Sequence, residues 1–153
     1  MTRKGLGSRA EAEAMRYLSQ WYDLDCTGND PSRPVTDQPT RMTLDSTHRL
    51  VPLPDARIRA RLRADAPLPR GTRWVEVKYL QRTGHWHRLH ARGLDSVRYL
   101  DGLALVCRAE GVHGWWRLRL DALPEPEPTG NILIRLQTIA VQLAPCGSME
   151  RVA

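Results

Sequence analysis

The sequence contains no apolar run that approaches the ~20 residues a membrane-spanning helix needs, so a membrane protein of the helical kind is not expected. No stretch repeats internally, and no two cysteines stand in a CxxC spacing. Cys26, Cys107 and Cys146 are odd in number and far apart, which argues against a disulfide framework or a cysteine zinc site and for reduced, structural thiols. Residues 1–7 carry no apolar segment of the kind a secretory signal uses, so the expectation is a cytoplasmic protein. Lysine is nearly missing. Only Lys4 and Lys78 stand among the 23 cationic residues, the rest being arginine, so a lysine inside an apolar stretch calls for a specific explanation.

What is present fits one domain spanning residues 1–153, with 41% hydrophobic residues, too many for a disordered chain. The formal charge of +6 is unevenly spread. Arg3, Lys4, Arg9 and Arg16 lie at one end, then Arg57, Arg59, Arg61 and Arg63, then Arg82, Arg88, Arg92 and Arg98. The acidic cluster lies apart, in a Pro/Glu linker over residues 123–128, so the first two-thirds carry the positive field.

Along the chain, Ser8 to about Tyr22 reads as a helix, with Ser8 and Glu11 in capping-box spacing. Ala10, Ala14, Leu18 and Trp21 form its apolar stripe, widened by Met15, while Glu13, Tyr17 and Gln20 face away. Residues 27–54 read as a long loop, with a short strand near Met42-Thr43-Leu44. From Asp55 to Arg63 apolar residues alternate strictly with Asp55 and four arginines, the mark of a half-buried strand. A Pro- and Gly-bearing turn leads to a second strand, Trp74 to Leu80, and the two are expected to pair as an antiparallel hairpin. Gln81 to His90 reads as a polar connection, Leu94 to Leu100 as a helix whose start could lie a turn earlier, and Gly102 as its breaker. Leu103 to Cys107 is a continuously apolar, buried strand, Trp115 to Leu120 another, and residues 132–141 a last strand or pair. The sum is an α/β fold around a central mixed sheet flanked by helices.

The chemistry converges on this hairpin. Glu76 and Lys78 are two apart and project from one face of a strand, while Val75 and Val77 project into the core. A turn centred near residues 65 and 66 brings Asp55 opposite Glu76. Two carboxylates and a backbone carbonyl, that of Val77, suit a hard divalent ion such as Mg²⁺, with Mn²⁺ as a substitute. Lys78 beside them would steady developing negative charge, a task for a compact ammonium rather than a guanidinium. Asp45 is the alternative aspartate.

Pro54-Asp55, twenty intervening residues and then Glu76-Val77-Lys78 resembles the signature of the PD-(D/E)xK nucleases. The stretch from Arg3 to Glu13, a basic arm, a glycine and then Ala-Glu on the first helix, resembles the opening of archaeal-type Holliday-junction resolvases. The resemblance implies a restriction-endonuclease-like core, Mg²⁺-dependent cleavage of four-way DNA junctions and a homodimer. It also implies metal-site acids at Asp55 and Glu76, the catalytic lysine at Lys78 and a first-helix glutamate at Glu11, whose position beside the apolar stripe suits reaching a metal through water or a phosphate.

Arg57 and Arg59 on the alternating strand are expected to track DNA phosphates, with Arg3, Lys4 and Arg9 at the N-terminus and Arg82 and Arg88 after the site. His85, His87 and His90 have a spacing that zinc can use, but no cysteine or carboxylate ligand is near in sequence. A polar segment touching DNA, with Trp86 stacking, is the better reading. Trp115 and Trp116 are expected in packing rather than on bases.

Overall fold

The ten residues of β5, Trp74–Thr83, alternate between two cores and organise the rest of the chain around them. In the computed structural model, which describes residues 3–27 and 41–145 with side chains from residue 9 onward, the helix α1 (Arg3–Leu18) covers one face. Val75 and Val77 meet Ala10, Ala14, Leu18 and Trp21 there. On the other face Leu80 joins Leu105, Cys107, Trp116 and Leu118. The expected inward and outward sides of this strand are thus the observed ones.

The chain contributes β1 (Tyr22–Cys26), β4 (Ala56–Arg61), β5, β7 (Leu103–Ala109), β8 (Trp116–Leu118) and β10 (Ala140–Gln142), in that spatial order. Strands β5 and β7 run parallel from Trp74↔Leu103 to Leu80↔Ala109, and the other neighbours along this path are antiparallel, so the architecture is α/β with a mixed central sheet. The parallel pair is central and its strand β7 is buried along most of its length, as its unbroken apolar run requires. Between β5 and β7 the chain passes through α2 (Ala91–Asp95), short and earlier than the expected 94–100 helix, because only single turns follow Leu94 up to Gly102. A separate hairpin, β2 (Met42–Leu44) with β3 (Leu50–Pro52), occupies part of the expected long loop. A single 3-10 turn (Leu120–Ala122) and the one-turn helix α3 (Leu136–Ile139) complete the path.

Three expectations are corrected. Helix α1 already includes Ser8 at mid-length, so Ser8 and Glu11 make no capping box, and at its other end Tyr22 belongs to β1. Tyr17 does not face away: it is 3% exposed, lies edge-on to Trp21 with centroids 5.0 Å apart, and stacks on Trp115 at 5.8 Å. An aromatic ring with a hydroxyl that donates to the Ala144 carbonyl satisfies the core and its own polar end together. Gln81 to His90 is not a connection but a hairpin, in which the end of β5 pairs with β6 (Trp86–His90), and β6 in turn with β9 (Asn131–Ile134). Gly84, with φ +61°, is the first central residue of its two-residue turn, where glycine adopts positive φ without strain.

The alternation of β4 holds only in its first half. Ala56 is fully buried, but Leu62 is 59% exposed, because β4 pairs with β5 only at Ala56↔Val75 and Arg57↔Trp74 and then leaves the sheet's cover. Leu105→Ala, which empties the centre of β7, is therefore expected to cost about 3 kcal/mol in urea unfolding. Leu62→Ala is expected to cost less than about 0.5 kcal/mol, against the place on the apolar face of a half-buried strand that its sequence pattern predicts. Equal losses at the two positions would refute this placement of β4.

Candidate active site

Asp55 is fixed from two sides. On the β1 side the Thr27 N–H donates to the Asp55 carbonyl at 3.2 Å, and Thr27 Oγ1 donates to the Pro54 carbonyl at 2.7 Å. Arg41 Nη1 holds the Thr27 carbonyl at 2.9 Å. On the β5 side the backbone ladder has ended, and the side chain takes over: the Val77 N–H donates to Asp55 Oδ2 at 2.7 Å. The register from Ala56↔Val75 puts Asp55 opposite Glu76, as the hairpin argument required.

Backbone direction along β5 shows what else faces this wedge. The Val77 N–H reaches Asp55, so within the strand this odd residue addresses β4. Trp74 N–H donates to Gly102 and the Leu80 carbonyl accepts from Glu110, so even residues address β7. The N–H and C=O of one strand residue point to the same side, and the Val77 carbonyl therefore opens toward the carboxylate of Asp55.

Glu76 and Lys78 stand on the opposite side-chain face from the valines. Glu76 is 9% exposed, and its carboxyl is pushed up to about 9, first by burial, then by the Asp55 charge and the hydrogen bond to Asp55, with Lys78 pulling the other way. Lys78 Nζ lies 4.0 Å from Glu76 Oε2, a loose contact that leaves the ammonium partly exposed. Behind it is Gly93 of α2, where a Cβ would come within 3.0 Å of Nζ. Glycine at this position leaves room for the ammonium.

Glu11 comes to the same end of the sheet from α1. The Cys26 thiol is held above the usual cysteine range by partial desolvation and then by the charges of Glu11, Asp25 and Asp55, so these carboxylates surround the end of β1. Asp45 does not belong to the site. It caps the β2–β3 turn: Oδ1 accepts from the Thr47 N–H at 2.9 Å, the Thr47 hydroxyl at 2.6 Å and the Arg49 N–H at 3.0 Å, and these bonds hold its carboxyl below the usual range. Among the described residues no group of three or more His, Cys, Asp or Glu side chains closes into a ready-made metal cage. Two carboxylates and a carbonyl fit instead a hard ion that keeps several waters, and the protonated, crowded Glu76 carboxyl is a group that such an ion would relieve.

The expected phosphate contacts divide. Arg57 and Arg59 are exposed, but each faces a β1 aspartate, Asp25 at 3.6 Å and Asp23 at 3.5 Å, which weakens the row as a phosphate track. Arg9 is exposed and pairs with Glu13 at 3.4 Å. Arg88 Nη2 donates to Gln81 at 2.9 Å. Arg82 is exposed on β5 beyond Lys78, and the side chains of Arg3 and Lys4 lie outside the described residues. The histidines do not form a cluster of ligands: His87 Nε2 bonds the Glu110 carbonyl at 2.7 Å, and His90 Nδ1 caps α2 at Arg92. The sequence marks neither Thr27 nor Gly93 as part of a site, and Cys26 only as a structural thiol; a glycine beside a helical stretch is the one signal available.

Compared with models of known protein families and with curated proteins, the chain matches none. The site therefore stands on its own geometry. In metal-free buffer the unfolded chain releases the Glu76 proton near 4.5, while the folded protein keeps it to about 9. This residue's contribution to stability is thus fully present below 4.5 and lost as pH rises toward 9. Glu76→Gln is expected to remove that slope and to raise Tm at pH 8 in EDTA, seen as the difference between variant and wild-type melting curves from pH 5 to 9. Parallel curves across that range would show that the carboxyl titrates normally.

Proposed function

We propose that this chain is a metal-dependent endodeoxyribonuclease of the PD-(D/E)xK kind with a restriction-endonuclease-like core, and that a homodimer of it cuts four-way DNA junctions symmetrically. The observation that carries the nuclease reading is the wedge between β4 and β5. There Asp55 is bound to the Val77 N–H, Glu76 is pushed up to about 9, and Lys78 lies 4.0 Å from Glu76. The junction preference and the dimer rest on the resemblance of Arg3–Glu13, and two sites related by a two-fold suit paired cuts.

Asp55, Glu76 and the Val77 carbonyl would hold Mg²⁺ or Mn²⁺, with Glu11 acting through water, and the bound ion would polarise a phosphodiester and make a water more acidic. Asp55 is oriented for this by the Val77 N–H and by Thr27, so one of its oxygens is engaged and the carboxylate cannot turn away. Glu76 gives up its proton on loading, which makes ion affinity rise with pH. Lys78 places a positive charge beside the reacting phosphate, where it stabilises the charge that develops as the bond to oxygen breaks. The exposed arginines hold the backbone without reading sequence.

A cleavage assay on a four-way junction, with and without Mg²⁺, tests the proposal. Paired nicks that need the ion are expected from the wild type. Glu76→Gln and Lys78→Ala should each lose about a hundredfold or more, and Asp45→Asn should cleave normally. Full cleavage by both site variants would dismiss the site. Preference for linear duplex or flaps would keep the chemistry and replace the substrate, and binding without cleavage would make this a DNA-binding protein. Gly93→Ala should lower kcat with KM nearly unchanged, because the added methyl displaces the Lys78 ammonium and touches no DNA contact; an unchanged kcat would show that the ammonium has no fixed position.

A further inference from the structure

The even residues of β5 share one face, and beyond Glu76, Lys78 and Leu80 the next is Arg82. Arg82 is paired across the hairpin with His87, and His87 with Ile134 of β9, so Arg135 follows directly at the side of the same ribbon. Arg82, His85, His87 and Arg135, with Val112 and Leu136, line a concavity of about 250 Å³. Gly111, at φ +77°, leaves space where a Cβ would come within 2.9 Å of Arg82 Nη1. The Arg82 guanidinium bonds the Gly84 carbonyl through Nε at 3.3 Å, and that of Arg135 lies over Trp86 at 4.7 Å from the ring centre.

Arg57, Arg59 and Arg63 each face an aspartate, whereas among the described residues neither the Arg82 nor the Arg135 guanidinium enters an ion pair. One carboxylate is close: Glu110 Oε2 accepts from the backbone N–H of Arg82 at 3.4 Å, not from its guanidinium. Two unneutralised guanidiniums and an exposed imidazole around one concavity form a receptor for a phosphate, for which the planar donor fork of arginine is suited.

We propose that this concavity is a second phosphate site that seats a DNA backbone phosphate at a fixed distance from the one cut at Glu76 and Lys78. Arg82 lies four residues beyond Lys78 and six beyond Glu76, about 13 to 20 Å along the strand. At about 3.4 Å of helix axis per phosphate on one strand, that separation corresponds to about four to six phosphates. The site would clamp the duplex arm next to the cut and set how much of that arm a substrate needs. This inference rests on the nuclease reading for its register, but its binding does not depend on catalysis.

Arg82→Gln combined with Arg135→Gln, both at exposed positions, tests it by duplex and junction binding in EDTA across a salt series. The double variant should bind at least tenfold more weakly and lose about one from the slope of log K against log salt. Glu110→Gln should bind more tightly. A neutral methylphosphonate about four to six phosphates from the cut should weaken the wild type and leave the double variant unaffected. Unchanged affinity and slope in the double variant overturn the site even if the wild type cleaves junctions, and so does equal weakening of both proteins by the methylphosphonate. A weakened double variant alongside a wild type that binds but never cleaves keeps the phosphate site and removes the nuclease reading. A wild type that binds no DNA removes both.

Discussion

The bond from the Val77 N–H to Asp55 Oδ2 is the constraint on which the rest of the site depends. A strand leaving a sheet exposes backbone donors, and an unsatisfied buried N–H is costly. Here β4 begins pairing with β5 at Ala56↔Val75, and before that point a side chain replaces the missing ladder. That substitution lets two strands separate without loss, and the separation is what admits a carboxylate, a carbonyl and a second carboxylate to one place. Thr27 completes it from the β1 side, so the position of Asp55 is set by three strands rather than by its own loop.

The same wedge explains why the site is energetically strained. Glu76 is buried beside a like charge, and Lys78, with a backbone hydrogen bond, only partly opposes the effect. A fold selected for stability alone would place an apolar or amide side chain there. Groups held in such a state are candidates for chemistry, and the surrounding cores on both faces of β5 supply the rigidity that keeps them in place.

Much of this was legible in the residues. Period-two alternation fixed the faces of β5 and the pairing of Asp55 with Glu76, and the apolar run from Leu103 identified a buried central strand. Other features were hidden for physical reasons. The helical spacing places Tyr17 outside the narrow apolar stripe, but a tyrosine can bury its ring and still satisfy its hydroxyl through a carbonyl distant in sequence. The β5–β6 hairpin was obscured by histidine, arginine and tryptophan, polar or amphipathic residues that alternate as His87 and Leu89 inward against Trp86 and His90 outward. Its turn glycine, Gly84, was the signal available. The start of α1 could not be found from Ser8, since a capping pattern inside a helix is only a pair of residues at the right spacing. Gly93 and Thr27 act through neighbours far along the chain, and no local pattern encodes such contacts.

The two aspartates on β1 have an effect beyond the strand they face. By offsetting Arg57 and Arg59 they flatten the potential along β4, while the guanidiniums at the tip of the β5–β6 ribbon keep theirs. The excess charge of +6 is therefore not a uniform coat. A polyanion arriving in dilute salt would feel less pull along β4 than at the ribbon tip, and this difference would fade as the screening length shrinks to about 10 Å at 0.1 M salt.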